Sequence, residues 1–366
     1  MKVICDGNDL AEAVGRAGKA LGQKAVNPYL EYIKLDAAPG TLTLTATDNE
    51  LTIETSIVAD VSSEGSILVP GRLFSEFTRK LTGERIELAL SQSKLVIKYA
   101  DASGEISCAS ADEFPVRRDN LDAQSFIIKT KEFKDLVGKV AFSASADNAR
   151  PILKGVLIEV EDAAVTAVAL DSYRLAKCVK PIESTTALMQ AIVPARCLSE
   201  ISKLLDDSDD LLTVYIQRGS FRIDLGNTVV TSVLIDGDFV NYRGLLPQAF
   251  ETLITVPCEQ FSDALERAML LSKADKSNPV RFDVTERMLQ ISSISEAGNL
   301  NEKIQIVMDG PDLAIAFNAK YFTEMLRMLN ASTITIKFNS ASMPCIIAPA
   351  SGSSEFLYLI LPVRMN

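Results

Sequence analysis

The sequence predicts an α+β chain in which one domain of antiparallel strands and two helices is written three times in tandem. Three observations predict it. A fifteen-residue segment recurs, starting at Ile67, Ala191 and Ile315, 124 residues apart each time. Inside it, apolar residues return at helical spacing. Around it, runs of four to six residues alternate apolar and polar with period two. A repeat one third of the chain long means repeated domains, not a solenoid of short units.

Each repeat opens on a short apolar strand, followed by a first helix beginning near Asp9, Glu132 and Gln260. Asn27-Pro28, Arg150-Pro151 and Asn278-Pro279 then precede strand-like runs, with prolines 123 and 128 residues apart. Leu42-Thr-Leu-Thr-Ala-Thr, Ile86-Glu-Leu-Ala-Leu and Ile334-Thr-Ile-Lys-Phe alternate as half-buried strands do. The second helix puts Phe74, Phe77 and Leu81 on one face, matched by Leu198, Ile201 and Leu205, then by Phe322, Met325 and Leu329. Helices covering one face of antiparallel sheets make the α+β class. Joints fall in turn-rich or charged segments, giving domains 1–122, 123–250 and 251–366.

Opposite that apolar face lies a basic pattern. Arg72 and Arg79, Arg196 and Lys203, and Lys320 and Arg327 are seven residues apart, two helical turns, and so point the same way. Glu76, Glu200 and Glu324 stand between them, leaving each face with roughly one net positive charge. A solvated helix face accounts for one such helix. Three copies predict a mildly positive surface able to meet phosphates without reading bases. Non-specific binding of this kind has Kd of roughly 10⁻⁴–10⁻⁶ M, so residence on DNA would need topology rather than affinity.

Composition narrows the function further. The 366 residues carry a net charge of −11, which speaks against wrapping by nucleic acid but allows a local basic surface. No histidine occurs, which removes the commonest general base and the commonest transition-metal ligand. The six cysteines include no CxxC pair, so free thiols in a reducing cytoplasm are expected, without zinc or disulfides. The longest apolar stretch, residues 356–363, is too short to span a bilayer, and no charged-then-apolar leader opens the chain. Asp206-Asp-Ser-Asp-Asp210 lacks the glycine and distal glutamate of a calcium loop. Gly15-Arg-Ala-Gly18-Lys19 lacks the spacing of a phosphate loop. The expectation is a cytoplasmic protein with no cofactor and no metal, and not an enzyme.

Several motifs carry a resemblance that spans the whole chain: Arg150-Pro-Ile-Leu-Lys-Gly-Val, Ala169-Leu-Asp-Ser-Tyr-Arg-Leu175, Asp236-Gly-Asp-Phe-Val-Asn-Tyr-Arg243 with Leu246-Pro247, and Tyr358-Leu-Ile-Leu-Pro-Val-Arg364. In their order and spacing the chain resembles the bacterial DNA sliding clamps, the β subunit of replicative DNA polymerase III. The resemblance implies three DNA-clamp domains per chain and two chains joined head to tail in a homodimeric ring. Sheets would lie outside, with two helices per domain inside. It implies a processivity factor that encircles double-stranded DNA regardless of sequence and tethers the replicative DNA polymerase. An ATP-driven clamp loader and other replication and repair proteins would be further partners, recognised through short peptide motifs. No membrane partner is implied.

Residue by residue, the resemblance makes Lys24, Arg72, Arg150 and Arg196 DNA-facing, and the repeat adds Arg79, Lys203, Lys320 and Arg327. It puts Ile106 of one chain and Leu270 and Leu271 of the other at the subunit junction. It implies a partner-peptide pocket of Leu170, Ser172, Tyr173, Arg174, Leu175, Val240, Leu245, Ile360, Leu361, Pro362, Val363, Arg364 and Met365. Tyr173 stands where many family members have histidine, Val240 where proline is usual, and Gly244 where a larger residue often sits. The tail also runs one residue further, to Asn366. A reshaped pocket is therefore expected. The alternative reading is a triplicated protein-interaction adaptor with no role on DNA.

Overall fold

The computed structural model describes residues 1–366 apart from 23–26, 82–84, 116–122, 273–278, 297, 353–354 and 365–366. Each repeat contributes two α-helices: α1 (Gly7–Ala17) and α2 (Gly71–Thr78), α3 (Thr130–Ala141) and α4 (Ala195–Ser202), α5 (Cys258–Ser272) and α6 (Ala319–Leu326). All three first helices start two residues earlier than expected. Hydrophobic periodicity picks out the first core residue, whereas the helix begins with a polar turn whose free N–H groups need caps. Asp6 supplies one such cap, its carboxylate accepting from the N–H groups of Asn8 and Asp9 at 2.8 and 3.2 Å.

The second helices end earlier than their charge pattern implied. Arg79 and Arg327 are the C-caps of α2 and α6, and Lys203 lies just past α4. A cation at that end complements the helix dipole by roughly 0.3–1 kcal/mol. Position 79, 203 or 327 therefore has a structural reason to be basic besides any ligand.

The chain divides into two compact units. The first comprises residues 1–130, 183–187 and 203–234, and the second 131–182, 188–202 and 235–366. The first unit holds a five-stranded sheet ordered Asp60–Ser63, Lys2–Asp6, Arg85–Ser91, Lys94–Tyr99 and Ala102–Ser107. It also holds a ten-stranded sheet in which Leu51–Val58 of the first repeat pairs antiparallel with Thr228–Val233 of the second. The second unit holds a nine-stranded sheet, in which Arg174–Pro181 of the second repeat pairs with Phe356–Ile360 of the third. Its four-stranded sheet runs Gly298–Gln305, Met288–Ser295, Pro279–Thr285 and Leu313–Asn318. Repeat boundaries are thus not sheet boundaries, which the linear pattern alone does not reveal.

Burial follows the alternation. Tyr32–Ala38, Thr41–Thr47 and Thr333–Phe338 bury every second residue against the helices. In the third repeat Phe261 of α5, Phe322 of α6 and the strand residues Phe282 and Phe317 form a fully buried cluster with ring centroids 5.3–5.7 Å apart. Gly155 is a packing requirement: a Cβ there would come within 2.3 Å of the Ile192 side chain.

Candidate peptide pocket, basic helices and sheet edges

The pocket residues lie in the second unit. Strand Ala164–Leu170 runs into a tight turn closed by Asp171, whose Oδ1 accepts from the N–H groups of Tyr173 and Arg174 at 2.8 and 3.0 Å. Arg174 then pairs with Ile360, and Leu175 with Leu359. Past Ile360 the C-terminal segment is fixed by its backbone. Leu361 N–H donates to Tyr173 O and Val363 N–H to Ala316 O, both at 2.8 Å. Leu170, Leu175, Tyr242, Ile346 and Leu359 belong to one buried apolar cluster, against which Phe239 and Leu246 pack. The structure therefore gathers residues 170–175, 240–245 and 360–363 around a common floor.

The predicted pocket residues separate by depth. Leu170 and Leu175 are buried in the floor, whereas Ile360 is buried on the other face of its strand, the side of Arg174. Tyr173, Val240, Leu245 and Leu361 keep 57%, 37%, 47% and 37% of their surface exposed. Pro362 and Val363 are half-buried, and Ser172 and Arg364 are exposed. Met365 lies outside the described residues. Lone exposed apolar residues are ordinary, but several around one apolar floor make a candidate binding surface.

Arg174 is a structural member of the site rather than a free hook. Only 9% exposed, it bonds Asp171 Oδ2 at 3.0 Å, the Phe142 carbonyl at 2.9 Å and the carboxylate of Glu324 on α6. Its guanidinium sits 4.7 Å from the centroid of Tyr321, over that ring. Tyr321 in turn stacks on Tyr173, centroids 6.1 Å apart. Sequence reading missed Tyr321, and gave Glu324 only its place between two cations, because both lie about 150 residues from Arg174. The signal available was α6 itself: Tyr321 and Glu324 are three apart and share a side of it.

Of the residues expected to face DNA, Arg72, Arg79 and Lys203 are exposed in the first unit, and Arg150, Arg196, Lys320 and Arg327 in the second. Lys24 lies outside the described residues. Glu324 stands 3.6 Å from Lys320 but is shared with the buried Arg174, so it neutralises Lys320 less than the sequence spacing suggested. Arg327 instead meets Glu266 of α5 at 3.1 Å. Exposed pairs of this kind are weak, about 0–1 kcal/mol, and leave both cations available to an anion. Residues 206–210 form a turn in which Asp206 accepts from Ser208 N–H and Ser208 from Asp210 N–H.

Among the described strands that end a sheet, two matter for a joint with another copy. Ala102–Ser107 pairs only with Lys94–Tyr99, and Gly298–Gln305 only with Met288–Ser295. Ile106, on the first edge, is buried in its own unit. Beside the second edge, Leu270 is 63% exposed and Leu271 half-buried at the end of α5, while Ile294 is 82% exposed on the adjacent strand. Arg267 of α5 holds this edge through a two-bond fork to Glu302, at 2.6 and 2.7 Å. The fork also keeps the Glu302 carboxyl below its usual range.

Cys5 and Cys178 are buried, and burial pushes both thiols up to about 12, so neither is a ready thiolate. Among the described residues no cluster of histidine, cysteine or carboxylate side chains is arranged to hold a metal ion. No described helix is long and apolar enough to cross a membrane.

Comparison with known proteins agrees with this fold. Three family models match in succession: the N-terminal domain of the DNA polymerase III beta subunit over residues 1–119, its central domain over 127–241 and its C-terminal domain over 243–364. The beta sliding clamp of Halalkalibacterium halodurans is 28% identical along the whole of both chains. The crystal structure of the DNA polymerase sliding clamp from Bacillus subtilis superposes with a TM-score of 0.95 at 29% identity, and the DNA polymerase III beta subunit from Thermotoga maritima with 0.94 at 26%. Each covers all of both chains. A triplicated clamp domain, matched end to end by successive models of one protein, places this chain in the bacterial DNA sliding clamp family, the beta subunit of DNA polymerase III.

Proposed function

We propose that two copies of this chain close head to tail into a ring around duplex DNA and serve there as a mobile tether for the replicative polymerase. The observation that carries this reading is the use of sheet edges. The second strand edge of one repeat joins the last strand of the next: Leu51–Val58 with Thr228–Val233, then Arg174–Pro181 with Phe356–Ile360. Gly298–Gln305 and Ala102–Ser107 are the equivalent strands for which no third repeat boundary exists within the chain. Unpaired edges invite pairing with another chain. Two copies joined twice by these edges form a closed, symmetric assembly with no edge of this type left over.

The mechanism follows from weak contacts inside a closed boundary. Arg72, Arg79, Arg150, Arg196, Lys203, Lys320 and Arg327 meet phosphates without reading sequence, with Lys24 added by the family resemblance. They are few, and the chain's net charge is −11, so they permit sliding instead of fixing a position. A partner peptide seated in the pocket then gains a high effective concentration on the same DNA. The chain has no phosphate-binding loop of its own, so ring opening falls to an ATP-driven loader. Buried thiols and the lack of histidine support a non-catalytic role, and the replication setting supports a cytoplasmic one. The relatives do not favour a DNA-free adaptor.

The test is topological. Protein loaded on nicked circular DNA is expected to remain bound through gel filtration at elevated salt, and to be released when the circle is cut once. Equal retention on both templates would sink the ring. A second expectation concerns the basic helices. Arg72→Ala with Arg79→Ala removes two phosphate contacts, so the salt slope of duplex binding should flatten by about 1.8. Anisotropy titrations across a salt series read this, and an unchanged slope would remove α2 from the DNA surface. Thermal stability should fall by no more than about 1 kcal/mol, the dipole contribution of Arg79, as both side chains are exposed.

A further inference from the structure

Residues 235–246 cross the buried cluster as an irregular strap, with a single 3-10 turn at Tyr242–Leu245. A strap of this kind has few backbone bonds of its own, so something must fix its position. Ile235 N–H donates to Ile192 O at 2.8 Å near its start. At its other end the fixing point is a carboxylate. Glu159, on strand Gly155–Glu161, is 8% exposed. It accepts the Tyr242 hydroxyl at 2.7 Å and both terminal nitrogens of Arg243, at 3.2 and 3.0 Å. The Arg243 guanidinium also lies 4.8 Å from the Tyr242 ring centroid, over its face. Tyr242 is itself 3% exposed, part of the apolar cluster under Leu170 and Leu175.

These three side chains hold the segment between the two exposed strap residues assigned to the pocket, Val240 and Leu245. We propose that Glu159 is the positioning residue of the partner-peptide pocket, setting the strap-side wall through Tyr242 and Arg243 without touching the peptide. The inference rests on the pocket reading given above. A buried carboxylate facing a fork donor and a hydroxyl has its acceptor sites filled, which makes the arrangement directional as well as strong. The immediate strand neighbours Ile158 and Val160 are apolar, and the other acid near Tyr242 and Arg243, Glu161, is solvent-exposed, so Glu159 is the buried anchor of the strap. The wall is thereby ordered before a peptide arrives, and the ordering cost of binding is lowered.

The experiment uses the full-length chain, a short fluorescein-labelled peptide carrying a Leu-Phe anchor pair, and two variants. Glu159→Gln removes the charge, and Tyr242→Phe removes only the hydroxyl bond. Losing the order of a two-residue wall is expected to weaken peptide binding about tenfold in Glu159→Gln, and less in Tyr242→Phe. The loss should appear mainly in the association rate, because fewer molecules hold a competent wall at any moment. Hydrogen exchange should quicken over residues 236–246 while strands Gly155–Glu161 and Phe356–Ile360 keep their protection. If Glu159→Gln does not fold, Tyr242→Phe decides alone. Affinity within twofold of the unmodified protein in every folded variant overturns the proposal. So does a loss confined to the dissociation rate with unchanged exchange, which would mean direct contact with the peptide. An unmodified protein that binds no anchor peptide overturns the pocket reading itself.

Discussion

A chain carrying Leu270→Glu and Ile294→Glu together is expected to sediment as a monomer and to leave circular DNA, yet to unfold at the temperature of the unmodified protein. Both residues are mostly solvent-facing, at 63% and 82% exposure, so neither supports the fold of its own unit. Both flank the edge strand Gly298–Gln305, which the proposed ring uses for its joint with a second copy. Burying a large apolar side chain is worth about 1.5–3 kcal/mol, and a carboxylate in its place must also be desolvated. Two such losses weaken the joint roughly a hundred- to ten-thousand-fold. Sedimentation equilibrium over a concentration series reads this directly. A dimer of unaltered strength would mean that the copies meet elsewhere, or not at all.

The second large effect is expected from Arg174→Ala. The side chain is buried and satisfies Asp171, Glu324 and the Phe142 carbonyl together. Removing one member of a buried charged group costs about 3–5 kcal/mol, because the remaining charges lose their compensation. The melting temperature should fall by roughly 10 °C, at 2–4 °C per kcal/mol for a unit of this size. Peptide binding should vanish as well, since the turn that carries Tyr173 loses its support. Arg174→Lys should fall between, keeping the charge without the planar fork. Unchanged melting and unchanged peptide affinity in Arg174→Ala would mean that the network is incidental to the site.

The repeat, the α+β class and the apolar faces of the second helices were legible because they depend on neighbours within a few turns. Phe74, Leu198 and Phe322 are each fully buried, as their common register required. The helix ends were not legible to the residue, since caps such as Asp6 act outside the hydrophobic period. The joins across repeats were also hidden: nothing local to Leu51–Val58 says that its partner is Thr228–Val233. The candidate pocket was legible only by resemblance. Taken alone, Leu170, Leu175 and Ile360 read as strand core, and buried they are. Its polar framework, Glu159 with Tyr242 and Arg174 with Glu324, links residues 83 and 150 positions apart. No periodicity in a single sequence encodes contacts at that range.

The two joins within each chain are backed by covalent continuity, for the peptide runs on from one repeat to the next. A joint between copies, as proposed, would have edge amides and side chains such as Leu270 to hold it, with no covalent link. In the proposed ring it would therefore be the door as well as the lock: the place where duplex enters would be the place that keeps it in. Substitutions that tighten the Gly298–Gln305 edge against its counterpart would lengthen residence and slow admission in the same stroke. On the proposed ring, the exposed, fork-braced edge beside Leu270 is where those two demands would be balanced.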